Sequence, residues 1–132
     1  MLVIDASVAV AACYASDGFA EFREEQLVAP ALMWSEARSA LHELQWRGEV
    51  STEDALAARS RLDRSPVQLR RHRALGNQAW TIADELGWAK TYDAEYVALA
   101  QLLGCPLMTI DGRLARGAGH LVSIVGPADT LT

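Results

Sequence analysis

Short runs of β-favouring apolar residues alternate with helical stretches along the chain, and this alternation constrains the fold more than any other feature. Leu2, Val3 and Ile4 form the first run, which predicts a buried strand. Further strands are predicted at residues 67–71, 106–110 and 121–125, and residues 27–29 are predicted to be short and extended. Strands separated by helices form parallel βαβ units. The sequence therefore predicts an α/β fold, a three-layer sandwich with helices on both faces of a mostly parallel central sheet and right-handed crossovers.

The predicted helices lie between these strands, at residues 8–14, 19–25, 31–47, 55–62, 75–86 and 91–103. Pro30 is well placed to start the helix at 31–47, and Ser51 or Thr52 is a suitable cap for the next one. Thr91 is predicted to cap the last helix, and Gly104 to end it in the left-handed conformation.

The length and the cysteines bound the class of protein. A chain of 132 residues fits one domain, residues 1–132, and has no room for two good cores. Cys13 and Cys105 lie in apolar stretches without paired spacing, which favours a reducing compartment. No apolar run approaches the roughly 20 residues that span a bilayer, and the first residues lack the basic segment of a signal peptide. We therefore expect a cytoplasmic protein without membrane contacts.

The charge is distributed unevenly. The net charge of −5 argues against a nucleic-acid partner, but residues 59–73 hold six arginines against the single Asp63. This segment carries +5, so the rest of the chain carries −10. Two interpretations stay open for the arginines: contacts with RNA phosphates, or ordinary surface charge paired with nearby acids.

Apolar residues on the helix at 31–47 exceed what one packing face requires. Trp34, Leu41, Leu44 and Trp46 all belong to it, and such a surplus predicts a homodimer interface. Trp80 and Trp88 likewise recur at helical spacing among apolar residues. Burial in a core or an interface is therefore favoured for the tryptophans over stacking on RNA bases.

Two acids follow predicted strands directly. Asp5 comes after the first strand, and Asp111 comes after the run that ends at Ile110. In parallel sheets, ligands bind beyond the carboxyl ends of the strands, where the strand order reverses. Each acid also has a plain structural interpretation, Asp5 as a helix cap and Asp111 as the first residue of an Asp-Gly turn.

Two further acids, Glu36 and Asp93, lie near predicted helix starts, where favourable interaction with the helix dipole is the simpler explanation. Taken together, however, four carboxylates on one rim of the sheet would raise each other's pKa unless a cation compensates them. Mg²⁺ prefers such oxygen ligands and can activate water against a phosphodiester. The three histidines are scattered, which disfavours zinc. The combination predicts a Mg²⁺-dependent nuclease with its metal bound by Asp5, Glu36, Asp93 and Asp111.

Four segments of this chain, in order and spacing, resemble the signatures of PIN-domain proteins, and in particular the VapC toxins of type II toxin–antitoxin pairs. They are Val3-Ile4-Asp5-Ala6-Ser7, the spacing from Pro30 to Glu36, Thr91-Tyr92-Asp93-Ala94 with the helical residues after it, and Thr109-Ile110-Asp111-Gly112. The likeness covers essentially the whole chain.

The resemblance implies an endoribonuclease that depends on Mg²⁺ or Mn²⁺, with the same four acids at its centre. It also implies that the hydroxyls of Ser7 and Thr109 hold carboxylates or a metal-bound water. Some relatives have another acid just after the last aspartate, and this sequence has none there. VapC toxins are usually homodimers silenced by a cognate antitoxin, which is also the component that binds operator DNA.

Two alternatives to an RNA-cleaving toxin remain at this stage. One is a PIN nuclease with a housekeeping role in RNA processing. The other is a non-enzymatic module whose acids bind a partner arginine or a structural ion. The short chain favours the toxin over the first alternative, and the presence of all four acids favours catalysis over the second.

Overall fold

Strand β1 (Leu2–Ile4) lies at the centre of the sheet, and all three of its residues are buried. The computed structural model describes residues 1–126. In it, five strands pair in the order β3-β2-β1-β4-β5, and every pairing is parallel. The other strands are β2 (Leu27–Ala29), β3 (Gln68–Leu69), β4 (Leu107–Met108) and β5 (Ile124–Val125). The predicted parallel α/β sheet is confirmed, and the segment 27–29 proves to be a full member of it.

Within residues 1–126, six α-helices connect the strands. They are α1 (Ala6–Tyr14), α2 (Leu32–Trp46), α3 (Thr52–Asp63), α4 (Leu75–Leu86), α5 (Tyr92–Leu103) and α6 (Gly112–Ala118). Helices α1, α2 and α3 contact one another, and α4 contacts α5. The chain runs outwards from β1 to β3 and then returns past β1 to β4. With right-handed crossovers, this reversal places α1–α3 on one face and α4–α6 on the other, which gives three layers.

Several predicted boundaries were wrong. Residues 19–25 form only a short 3₁₀ turn, Ala20–Phe22, in which Phe22 is the one residue buried in the core. Burial of one side chain in so short a segment does not offset the free-energy cost of nucleating an α-helix. The predicted strand at 106–110 pairs only at Leu107–Met108. The predicted turn at Asp111 is instead the start of α6, since the Asp111 carboxylate accepts hydrogen bonds from the backbone N–H groups of Arg113 and Leu114.

The helix ends largely follow the prediction. The Ser51 side chain caps α3 by accepting a hydrogen bond from the Asp54 N–H, 3.0 Å away. Gly104 ends α5 with a φ of +64°, the left-handed conformation that glycine adopts without strain. Thr91 occupies the cap position of α5 but makes no capping hydrogen bond through its side chain.

The apolar surface of α2 is smaller than the sequence suggested. Leu41 is buried in the core, and Trp34 and Leu44 are half-buried. Trp46, in contrast, is 79% exposed at the carboxyl end of the helix. The expectation of four interface residues on α2 was therefore wrong for Leu41. No helix within residues 1–126 is long and apolar enough to cross a membrane.

Candidate active site

Asp5 lies where β1 ends and α1 begins, and it is only 5% exposed. Its Oδ1 accepts hydrogen bonds from the Ser7 hydroxyl at 2.6 Å and from the Val8 N–H at 3.1 Å. The structural interpretation of Asp5 as a helix cap is thus correct. Capping leaves Asp5 in the wall of a surface depression, so the cap is compatible with a place in a binding site.

The segment after β4 is fastened to the end of β1 through hydroxyl groups. The Thr109 hydroxyl donates to Oδ2 of Asp5, and Oγ1 of Thr109 also accepts a hydrogen bond of 2.9 Å from the Asp111 N–H. The Ile110 N–H donates to the Ser7 hydroxyl at 3.1 Å. β1 and β4 are neighbours at the point where the strand order reverses, so these bonds fix Asp111 beside Asp5.

Glu36 and Asp93 reach the same region from two helices. Glu36, near the start of α2, accepts a hydrogen bond of 2.6 Å from the hydroxyl of Tyr96, a buried residue of α5. Asp93, in the first turn of α5, pairs with the guanidinium of Arg113 at 3.1 Å. Each carboxylate therefore has a donor that fixes one of its oxygens.

All four predicted acids line one open depression of about 460 Å³ at the carboxyl end of the sheet. Its remaining walls come from α1, α2 and α5, namely Ala6, Ser7, Val10, Ala40 and Tyr96. The structure thus brings together every residue that the sequence selected. We call this region the acidic depression.

Burial and mutual repulsion act on these acids. Burial is the main cause that raises the pKa of Asp5, and the hydrogen bonds from Ser7 and Thr109 oppose it. Burial also raises the pKa of Glu36 and of Asp93, with a further upward contribution from neighbouring carboxylates in both cases. Arg113 partly offsets the increase at Asp93. The ionised cluster is therefore short of positive charge, the condition under which a bound cation is stabilising.

The donor set fits a hard divalent cation held partly by water. Within residues 1–126, no three His, Cys, Asp or Glu side chains stand close enough to enclose a metal ion by themselves. The carboxylates are instead engaged with hydroxyl, guanidinium and backbone donors. Mg²⁺ keeps several waters and binds through only one or two carboxylates directly, so an open oxygen-lined depression suits it.

Tyr96 and Arg113 are two site residues that the residue pattern did not single out. Tyr96 lies three positions after Asp93, the spacing that puts two residues on the same helix face, so its place was accessible from the sequence. Arg113 follows Asp111 in a segment where no helix was predicted. Only the structure shows that α6 turns its guanidinium towards Asp93.

The arginines of residues 59–73 do not form one continuous surface. Arg59 lines a groove between α2 and α3, whereas Arg61 donates a hydrogen bond of 2.8 Å to the carbonyl of Cys13 in α1. Arg70 directs its guanidinium to within 4.0 Å of the Met1 sulfur, away from the acids. Arg71 and Arg73 are exposed after β3. The charge run in the sequence therefore overstates any single basic interface.

The parallel α/β topology, with an acidic depression where the strand order reverses, defines a class of α/β proteins with a carboxylate-lined site. Comparison with known families identifies the family within this class. The PIN domain pattern matches residues 2–119, and the chain belongs to the PIN-domain family. Ribonuclease VapC9 of Mycobacterium tuberculosis is 38% identical over 117 residues, which cover 87% of this chain and 89% of that protein. Ribonuclease VapC12 of the same organism is 32% identical over 128 residues, covering 94% and 97%.

Solved structures agree with the family assignment. PAE2754 from Pyrobaculum aerophilum superimposes with a TM-score of 0.78 at 26% identity, covering 98% of this chain and 92% of that one. FitAB bound to an IR36 DNA fragment superimposes with a TM-score of 0.64 over 96% of this chain and 95% of that one. Its identity is 13%, so this second likeness shows the fold alone.

Proposed function

We propose that this PIN-domain protein is the toxin of a type II toxin–antitoxin pair and acts as a Mg²⁺-dependent endoribonuclease. The observation that carries the proposal is the convergence of Asp5, Glu36, Asp93 and Asp111 on one depression. The VapC relatives, named ribonucleases, match at least 87% of the chain and favour cleavage of RNA over a non-catalytic role. No feature of the described residues favours a housekeeping role over the toxin.

The residues of this chain position the acids for the reaction. Ser7 and Thr109 hold Asp5 in one orientation, and Tyr96 does the same for Glu36. Such partners fix the direction of metal ligands. A bound Mg²⁺ or Mn²⁺ supplies Lewis-acid stabilisation of the phosphodiester and lowers the pKa of water. Asp93 would help to hold the cation, and the largely exposed guanidinium of Arg113, which pairs with Asp93, is placed to contact an RNA phosphate.

Metal removal tests this mechanism. The purified protein should cleave a susceptible single-stranded RNA, lose activity in EDTA, and regain it with excess Mg²⁺ or Mn²⁺. Asp93→Asn should abolish cleavage, whereas Asp84→Asn, at an exposed acid of α4 outside the depression, should not. Undiminished cleavage after thorough chelation would contradict the metal mechanism.

The proposal includes a homodimer and an inhibitory antitoxin in the cytoplasm. Trp46 and Trp80 are 79% and 67% exposed, and large exposed aromatic residues are typical of interfaces. Arg113 shows that a guanidinium binds Asp93, so an arginine from an antitoxin has a receptor in the acidic depression. The free thiols of Cys13 and Cys105 agree with a reducing compartment.

Two measurements test these partners. Sedimentation at tens of micromolar should give a dimer, and Trp46→Ser should shift it towards the monomer. Antitoxin affinity should fall as Mg²⁺ rises and should also fall in Asp5→Asn, because the arginine and the cation compete for the same carboxylates. An affinity independent of both would contradict a blocked active site.

A further inference from the structure

A second depression, of about 540 Å³, adjoins the acidic depression. Glu36 and Asp93 belong to the walls of both, so the two are continuous. The rest of its lining comes from the turn between α4 and α5, the start of α5, and Arg113 of α6. Because its lining includes Trp88, Lys90, Tyr92 and Arg113, we call it the aromatic–basic depression.

Two aromatic rings form part of its wall. Tyr92 begins α5 and is 52% exposed. Trp88 is half-buried and packs on α6 at Gly117. A Cβ at Gly117 would lie 3.0 Å from a carbon of the indole ring, so the absence of a side chain there allows this close packing. The indole is therefore held in place, and the partly exposed Tyr92 lines the same depression.

The two depressions differ in their balance of charge, because the aromatic–basic depression has two cations beside Glu36 and Asp93, the two acids that it shares. The acidic depression is lined by four carboxylates, whereas the adjoining one carries Lys90, the only lysine of the sequence, and Arg113, whose side chain is 76% exposed. Single-stranded nucleic acids are bound by this pairing of aromatic rings for bases with cations for phosphates.

We infer that the aromatic–basic depression binds one unpaired nucleotide of the RNA next to the cleaved bond. Its base stacks on Tyr92 with Trp88 as the fixed wall, and its phosphate contacts Lys90 and Arg113. This inference rests on the proposed ribonuclease function and adds the requirement for an unstacked base, the form in which single-stranded RNA is commonly recognised. A fully paired duplex cannot supply such a base, so the depression selects single-stranded loops or ends.

A double-perturbation experiment tests the inference. One RNA oligonucleotide that the wild type cleaves is prepared with an abasic residue at each position near the cut, and kcat/KM is measured for each. With the wild-type protein, an abasic residue at one position flanking the cut should lower kcat/KM by about tenfold or more. Tyr92→Ala should lower kcat/KM for the intact RNA by a similar factor and make the abasic residue at that position almost neutral.

Matched variants separate stacking from folding. Tyr92→Phe keeps the ring and should retain the sensitive position in the abasic profile. Trp80→Ala removes an exposed ring outside the depression and should leave that profile unchanged. Lys90→Ala should reduce the salt dependence of binding by a slope of about 0.7, the contribution of one phosphate contact.

Three results would overturn the inference. The first is that the protein cleaves RNA but no position near the cut is sensitive to an abasic residue. This result would leave the proposed function intact. The second is independent, additive effects of Tyr92→Ala and the abasic residue. The third is normal RNA cleavage by Tyr92→Ala combined with weaker antitoxin binding, which would assign the depression to a protein partner. Absence of RNA cleavage under all metal conditions would instead refute the proposed function, and this inference with it.

Discussion

Replacing Thr109 by valine isolates the hydroxyl that links β4 to the acidic depression. Thr109 is buried, and valine has nearly the same shape. The substitution removes the hydrogen bond that Thr109 donates to the Asp5 carboxylate and the one it accepts from the Asp111 N–H. A hydrogen bond to a charged group contributes about 1.5–3 kcal/mol, and an ordinary one about 1 kcal/mol. Asp111 is half-exposed, so water replaces much of the second bond. We expect a loss of about 2–3 kcal/mol in the free energy of unfolding.

Urea unfolding at pH 7.5, with and without Mg²⁺, measures this loss. Thr81→Val is the matched control, because Thr81 is exposed on α4 and its hydroxyl donates only to the Asn77 carbonyl within the helix. That variant should stay within about 0.5 kcal/mol of the wild type. The Thr109 hydrogen bond lowers the pKa of Asp5, so its loss should raise that pKa further, and the stability difference should shrink towards pH 4. A Thr109→Val protein as stable as Thr81→Val at pH 7.5 would refute the reasoning.

Two further predictions concern charge. Without Mg²⁺, the free energy of unfolding should fall as pH rises from about 4 through the raised pKa values of Asp5, Glu36 and Asp93. The reason is that the folded state binds these protons more tightly than the unfolded chain does. Urea titrations at several pH values should show this fall, and saturating Mg²⁺ should reduce it. Neutralising the exposed Arg71 and Arg73 together should lower the salt slope of RNA binding by about 1.4, measured by fluorescence anisotropy, and an unchanged slope would make them plain surface charge.

The sequence predicted the centre of the fold better than its edges. A continuous apolar run identified β1, and Asp5 directly after it located the site. β2 has only three residues, too few to show a periodicity, so its membership of the sheet follows from its parallel pairing with β1 and β3. β3 was predicted as five residues from alternation, but only Gln68–Leu69 pair, because an exposed edge strand has little burial to extend it.

Helix α6 shows how tertiary contacts override local propensity. Its sequence contains Gly112 and Gly117, which disfavour a helix, and the Asp-Gly pair suggested a turn. The Asp111 cap and the burial of Leu114 and Ala118 on the core, four residues apart, stabilise it nonetheless. This helix carries Arg113, which is why local patterns could not reveal the ion pair with Asp93.

The location of all four acids at one end of the sheet was predictable, because each follows a strand or lies near the start of a helix, and these positions meet at the carboxyl end of a parallel sheet. Their side-chain partners were not, since the contacts of Glu36 with Tyr96 and of Asp5 with Thr109 join residues 60 and 104 positions apart. The arginines at 59–73 likewise contact different parts of the molecule, which the charge run by itself does not show. Arg59 and Arg61 lie two positions apart on one helix, so they project in different directions, and their neighbours differ.

The central claim is that four carboxylates act as one metal-binding centre that cleaves RNA, and paired titrations test it most directly. Mn²⁺ binding, followed by electron paramagnetic resonance, and RNA cleavage are measured for the wild type, for the exposed control Asp84→Asn, and for four variants: Asp5→Asn, Glu36→Gln, Asp93→Asn and Asp111→Asn. Asparagine keeps the helix caps at positions 5 and 111, so folding is preserved. We predict that Mn²⁺ affinity and RNA cleavage both fall, by about tenfold or more, in each of the four variants. In the control Asp84→Asn, neither the Mn²⁺ affinity nor the cleavage should change. Normal cleavage by any of the four, or lost cleavage with unchanged Mn²⁺ affinity in all of them, would contradict the account.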